Sequence, residues 1–173
     1  MRHPLVLGTT SRDALRDALR SRGVRTNAYF DVLWPHVAVA ETPRSLEVVV
    51  TTPLAVGLVD GATLDVLLDH VAPLGLGPCP LEGAARLRLA LDEPAAAGRI
   101  TVVSQRVLPD EAAPRGFYLR RDGDGVWLRA FVASDDWWFD PGERFALAAE
   151  ARDASWISPS PTTPSPPSRR ASR

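Results

Sequence analysis

Cys79, the one thiol of the chain, stands between Pro78 and Pro80, with Glu82 three residues on and His70 in the segment that leads up to it. A cysteine nucleophile needs a base to take its proton. The histidines available are His3, His36 and His70, and His70 is the nearest in sequence. Cys79, His70 and Glu82 therefore form one catalytic alternative, a small cysteine-dependent hydrolase. Against it, no third residue orients the histidine, and an isolated cysteine serves equally as a small apolar core side chain. Glu82 followed by Arg86 and Arg88 also reads as a structural ion pair. A second group is acidic: Asp135, Asp136 and Asp140, in Asp-Asp-Trp-Trp-Phe-Asp. Three carboxylates could hold a divalent cation for a hydrolase or nuclease, but their spacing matches no EF-hand. One Cys and three scattered His make no zinc pattern. No metal and no cofactor is expected. The third group is aromatic and cationic: Tyr118, Arg120, Trp127 and Arg129, with Trp137 and Trp138 downstream. Guanidinium groups stack on rings, and rings with arginines can also form a ligand platform.

Composition narrows the chemistry further. All 20 basic residues are Arg, a bias we read as that of a GC-rich bacterial genome. Without Lys there is no Schiff base, no Walker A lysine and no kinase strand lysine. No Gly-x-Ser-x-Gly elbow, dinucleotide fingerprint or His-Glu-x-x-His occurs. The net charge of −1 gives no electrostatic case for nucleic acid. No apolar run is long enough for a membrane span, and the N-terminus lacks a secretory core. A single Cys excludes an internal disulfide framework, so the expected location is cytoplasmic.

The elements that must position these groups follow from periodicity. Residues 1–10 read as a loose lead-in before a single domain over 11–150. Ser11 caps a helix at 12–22 that Gly23 closes. Thr26 is expected to cap a second, 27–33, burying Tyr29, Phe30, Leu33 and Trp34, and Pro35 ends it. The second helix is mostly apolar and carries no Arg, so the helical pair does not read as a DNA-reading motif. Leu-Glu-Val-Val-Val within 45–51 is a strand. Thr52-Pro53 starts one helical turn, and Thr63 caps a helix from Leu64 to about Ala72 with Leu64, Leu67, Leu68, Val71 and Leu74 on one face. Leu87, Leu89 and Leu91 alternate, which predicts a strand at 86–91. Another is expected at 99–107 after a turn at 92–98, and a closing strand at 144–148.

The clearest local signal is Gly-Phe-Tyr-Leu-Arg-Arg-Asp-Gly-Asp-Gly-Val-Trp-Leu-Arg-Ala-Phe, 116–131. Asp-Gly between alternating hydrophobics predicts a hairpin with a primed turn. A loop at Gly123-Asp124 pairs Leu119 with Leu128; a loop at Asp122-Gly123 pairs Leu119 with Val126. Both put Phe117, Leu119, Val126, Leu128 and Ala130 on one face, and Tyr118, Arg120, Trp127, Arg129 and Phe131 on the other. From 151 to 173 the chain is rich in Pro, Ser and Arg and is expected to be a disordered tail.

Gly61-Ala62-Thr63, Gly75-Leu76-Gly77-Pro78-Cys79-Pro80-Leu81-Glu82-Gly83 and Leu87-Arg88-Leu89 together resemble a block found in small uncharacterised bacterial proteins of unknown function. That block runs Gly-Ala-Thr, a helix, then Gly-Leu-x-Leu-Cys-Pro-x-Glu-x-Gly-Pro-x-Leu-Arg-Leu. The likeness continues through Phe117, Arg121, Asp122, Asp124, Gly125, Trp127, Leu128, Pro141, Arg144 and Phe145. Phe139 replaces an expected Trp, and Ala84-Ala85 replaces Gly-Pro. The resemblance implies no activity. Some members carry a helicase label, which a chain without Lys does not support.

The sequence thus leads to an α+β domain: a mainly antiparallel sheet, with the N-terminal helices and the central 64–72 helix packed on one face. The expected function is a non-catalytic binding or protein-interaction domain. Its candidate site is Tyr118, Arg120, Trp127, Arg129, Trp137 and Trp138, and its expected partner is a protein or small molecule rather than nucleic acid or membrane.

Overall fold

The β-branched run at 46–50 and the hairpin at 116–131 become two parts of one sheet. The structure, a computed structural model, describes residues 1–91, 98–134 and 136–149. Residues 92–97 of the expected 92–98 turn, Asp135 and the Pro/Ser/Arg tail lie outside the described residues. In chain order the elements are β1 (Arg2–Leu7), α1 (Arg12–Ser21), α2 (Ala28–Leu33), β2 (Arg44–Thr51), β3 (Ala62–Thr63), α3 (Leu64–Val71), β4 (Leu76–Gly77), α4 (Leu81–Ala90), β5 (Gly98–Val102), β6 (Gly116–Asp122), β7 (Gly125–Phe131), β8 (Trp138–Phe139) and β9 (Arg144–Ala149). The main sheet runs β1-β2-β9-β5-β6-β7, with β4 also on β9, and β3 and β8 form a separate pair. Every pairing is antiparallel except β5 with β9. The chain is an α+β protein with a mainly antiparallel sheet.

One sheet face carries the larger core. Val48, Val50, Ile100, Val102, Phe117, Leu119, Leu128, Ala130 and Ala146 meet Leu15 and Leu19 of α1, Phe30 and Leu33 of α2, and Leu81, Ala84, Ala85 and Leu87 of α4. Burying each large side chain of this set contributes roughly 2 kcal/mol. Strand alternation turns Phe145 and Leu147 to the opposite face, where Leu64, Leu67 and Val71 of α3 cover them with Phe139. The helices are therefore divided between the faces: α3 lies opposite α1, α2 and α4, not beside them. Leu74, expected on the apolar face of α3, is exposed.

Four local expectations are corrected. Residues 2–7 are not a lead-in but the edge strand β1, paired with β2 from Arg2↔Val49 to Leu7↔Arg44. The Met1 ammonium donates to the Val50 carbonyl, and the Val50 N–H to the Met1 carbonyl. That alternation turns Pro4, which has no N–H, to the open side of the ladder, where a proline blunts an edge. Residues 86–91 are not a strand: 86–90 are the second half of α4 and Leu91 is its C-cap. The alternating leucines mislead because Ala84, Ala85 and Ala90 favour helix and Glu82 reaches Arg86 across one turn. Asn27, not Thr26, caps α2, its Oδ1 accepting from the Phe30 N–H at 3.2 Å, and this leaves Tyr29 exposed. The strand expected to reach Val107 ends at Val102.

Candidate functional site

The hairpin adopts the Gly123-Asp124 register, with Leu119↔Leu128, Phe117↔Ala130 and Arg120↔Trp127. Its turn is not of the primed type: neither loop residue has positive φ, and the left-handed position is Gly125, at φ 131°. Asp122 closes the turn. Its Oδ1 accepts from the Asp124 N–H at 3.0 Å and from the Trp127 indole N–H at 3.3 Å, while Oδ2 accepts from Arg120 Nε at 2.8 Å. One carboxylate thus fixes the loop, the indole and the guanidinium together.

Phe117, Leu119, Leu128 and Ala130 are buried in the core, so strand alternation turns Tyr118, Arg120, Trp127, Arg129 and Phe131 to the other face. β5 adds Arg99, directly opposite Arg120, and Thr101, opposite Tyr118. The guanidinium groups lie over the rings. Arg25 is 4.3 Å and Arg129 5.0 Å from the Trp127 ring centroid, and Arg99 is 4.4 Å from Tyr118 and 5.3 Å from Phe131. Tyr118 and Phe131 meet edge to face at 6.2 Å. Each such cation–ring contact is worth ~0.5–1 kcal/mol at an exposed site. The outcome is a cationic layer on an aromatic one, whose rings are already covered.

The open edge of β7 is closed by the link between α1 and α2. The Arg25 N–H donates to the Val126 carbonyl at 2.8 Å and the Leu128 N–H to the Arg25 carbonyl at 3.0 Å. Asn27 continues the closure, donating from Nδ2 to the Ala130 carbonyl at 2.9 Å and accepting the Ala130 N–H at 3.0 Å. Strand addition at that edge is blocked there. Arg25, Arg99, Asn27 and Asp122 belong to this surface, and sequence reasoning left them out of it. Asp122 alone carried a local signal, as the Asp of the turn; Arg25 and Asn27 act on residues about one hundred positions away.

Trp137 and Trp138 stand apart. Trp138 belongs to β8, paired with β3, and its neighbour Phe139 is buried edge to face on Phe145 at 4.9 Å. Both indoles are more than half exposed. Among the described residues no ring contact joins them to the hairpin face. Gly61 is required beside them, since with φ 91° an added Cβ would lie 2.3 Å from the Phe139 carbonyl oxygen.

The catalytic alternative does not assemble. Cys79 is buried in the main core, and desolvation pushes its thiol up to about 12, so it carries a proton at neutral pH. The His70 Nε2 is hydrogen-bonded to the Val56 carbonyl at 2.7 Å, and no hydrogen bond joins it to Cys79. Glu82 is also buried. Its Oε1 accepts from the Gly8 N–H at 2.8 Å and from Arg86, and its Oε2 from the Ala40 N–H at 3.0 Å. It ties α4 to the end of β1 and to the chain before β2. Gly83 lets α4 approach, because a Cβ there would lie 2.6 Å from the Cys79 sulfur. Of the acidic group, Asp136 and Asp140 are exposed and Asp135 lies outside the described residues. Among the described residues no cluster of three His, Cys, Asp or Glu could hold a metal ion.

A concavity of about 1160 Å³ is lined in part by Arg44, Ser45, Leu46, Pro73, Leu74 and Gly75. β9 pairs with β2 at Glu47↔Ala149 and with β4 at Leu76↔Ala149. The hollow also touches Ala148 and Ala149 of β9 and Cys79. Among the described residues no helix is long and apolar enough to cross a membrane. No protein-family model matches the chain, and no curated protein and no solved structure is significantly similar to it.

Proposed function

We propose that the chain is a non-catalytic binding domain whose contact surface is the arginine–aromatic face of β5, β6 and β7. The observation that carries this reading is the layer of guanidinium groups, Arg25, Arg99 and Arg129, held over Tyr118, Trp127 and Phe131, with Arg120 beside them on the carboxylate of Asp122. A sheet face built only for stability would cover such rings with apolar side chains, as α3 does for Phe145. A guanidinium that meets a ring still has N–H donors to offer a partner. The partner on this reading is a protein or a small molecule. Trp137 and Trp138 form a separate exposed aromatic point.

The reading includes membership of the small bacterial family that shares the Gly-Ala-Thr and Cys-Pro-x-Glu-x-Gly block. Its support is the joint work of Cys79, Glu82 and Gly83 in seating α4. A cytoplasmic setting is part of the same reading and rests on the single unpaired cysteine.

The test is comparative affinity capture from the source cell with the parent chain and the Trp127→Ala/Arg129→Ala variant, both checked by circular dichroism. The expected result is loss of at least one captured species with the variant. Retention of every species by a folded variant removes this face as the site.

A further inference from the structure

We infer that the hairpin face receives an acidic polypeptide segment, whose carboxylates meet the guanidinium edges of Arg99, Arg120, Arg25 and Arg129. The inference rests on the binding reading above and gives its partner a chemistry. Arg99 and Arg120 are directly opposite each other on adjacent strands and share a face. Like charges so placed repel, and an anion between them removes the repulsion. Among the described residues Arg25, Arg99 and Arg129 form no ion pair, and Arg120 has its Nε on Asp122. Arg99 spends its Nε on the Thr101 hydroxyl at 3.1 Å, and Arg25 one terminal nitrogen on the Asp124 carbonyl at 2.7 Å. The remaining terminal nitrogens are in position for bidentate contact with oxyanions.

Two features favour an acidic peptide over a nucleic acid. Base recognition by such a surface needs open ring faces. Here Trp127 has a guanidinium from Arg25 and another from Arg129, and Tyr118 lies under Arg99. The spacing also suits a peptide. Neighbouring strands lie ~4.8 Å apart and alternate residues of one strand ~6.6 Å apart, close to the side-chain repeat on one side of an extended chain. Because Arg25 and Asn27 close the β7 edge, the segment lies across the face and is read through its side chains.

The experiment titrates the full chain with a twelve-residue Glu/Asp peptide, with a neutral Ser/Gly peptide of the same length, and with a single-stranded oligonucleotide of equal negative charge. The proteins are the parent, Arg120→Gln, Arg99→Gln/Arg120→Gln, and Arg44→Gln as a control for a distant exposed arginine. Arg120 is half exposed, so its single variant keeps the test alive should the double variant fold poorly. The expected result is acidic-peptide binding that weakens with salt. Arg120→Gln weakens it several-fold, the double variant at least tenfold, and Arg44→Gln leaves it unchanged. The inference is overturned if the acidic peptide does not bind, if parent and Arg120→Gln bind it equally, or if the oligonucleotide binds as tightly. A captured species lost by Trp127→Ala/Arg129→Ala, with no acidic-peptide binding, removes the acidic partner while the face stands.

Discussion

Replacing Glu82 by Ala removes the carboxylate that joins α4 to two distant parts of the chain. Its oxygens accept the Gly8 N–H at 2.8 Å, the Ala40 N–H at 3.0 Å, and Nε and a terminal nitrogen of Arg86 at 3.1 and 3.0 Å. A hydrogen bond to a charged group contributes ~1.5–3 kcal/mol, and breaking a buried pair costs ~3–5 kcal/mol because the other charge stays behind. Arg86 is that other charge, with its side chain only 14% exposed. Gly8 and Ala40 are half-buried, so water recovers part of their loss. The expected destabilisation for Glu82→Ala is about 3–5 kcal/mol, a large share of a typical domain's ~5–15 kcal/mol. Glu82→Gln keeps the shape but turns one acceptor into a donor facing another donor, at a cost of about 2 kcal/mol. Urea unfolding followed by circular dichroism at pH 7 reads both. If Glu82→Ala unfolds within ~0.5 kcal/mol of the parent, well below those contributions, the structural role is refuted. A catalytic acid would give that opposite pattern, a lost activity with stability kept.

Three further outcomes follow from the structure. Burial raises the Cys79 thiol from its ordinary value near 9 to about 12. Between those values the unfolded chain has lost the proton and the folded one has kept it. Stability therefore falls as pH rises from 9 toward 12, by up to ~1.4 kcal/mol per pH unit, and is unaffected by this group below about pH 8. Cys79→Ala removes this contribution to the slope. Native protein should also resist a thiol reagent at pH 8 that labels the urea-unfolded chain; rapid native labelling contradicts the buried thiol. Asn27→Ala removes the α2 cap and both bonds to Ala130, for a loss of about 2 kcal/mol by chemical unfolding, whereas Asn27→Asp keeps the cap and loses less. Equal losses for the two variants would contradict the cap, because Asp keeps both acceptor bonds of Oδ1 and gives up only the Nδ2 bond to the Ala130 carbonyl.

What could be read in the sequence was local. Asp-Gly-Asp-Gly between alternating hydrophobics specified the hairpin and its two faces, although the left-handed residue proved to be Gly125. Ser11 marked the start of α1, and Leu64, Leu67 and Val71 marked the buried side of α3. What escaped depends on distant partners. β1 is a strand because β2 lies beside it, and nothing in Arg-His-Pro-Leu-Val-Leu announces that. Leu87, Leu89 and Leu91 mimic a strand because their period of two matches one, and the helix is decided by alanines and by Glu82 anchoring to Gly8 and Ala40. The aromatic–arginine face was legible for β6 and β7 alone. Arg99 joins through strand order, and Arg25 through a link that folds along the hairpin edge. Trp138 is near in sequence yet belongs to a different pair of strands, and Trp137 directly precedes it.

Amide hydrogen–deuterium exchange of the full chain, with and without saturating acidic peptide, tests the central claim most directly. Bound peptide is expected to bring new protection to residues 98–101 and 116–131 and to the 24–27 link. Protection around 44–47 and 73–81 in its place, with the hairpin unchanged, would contradict it.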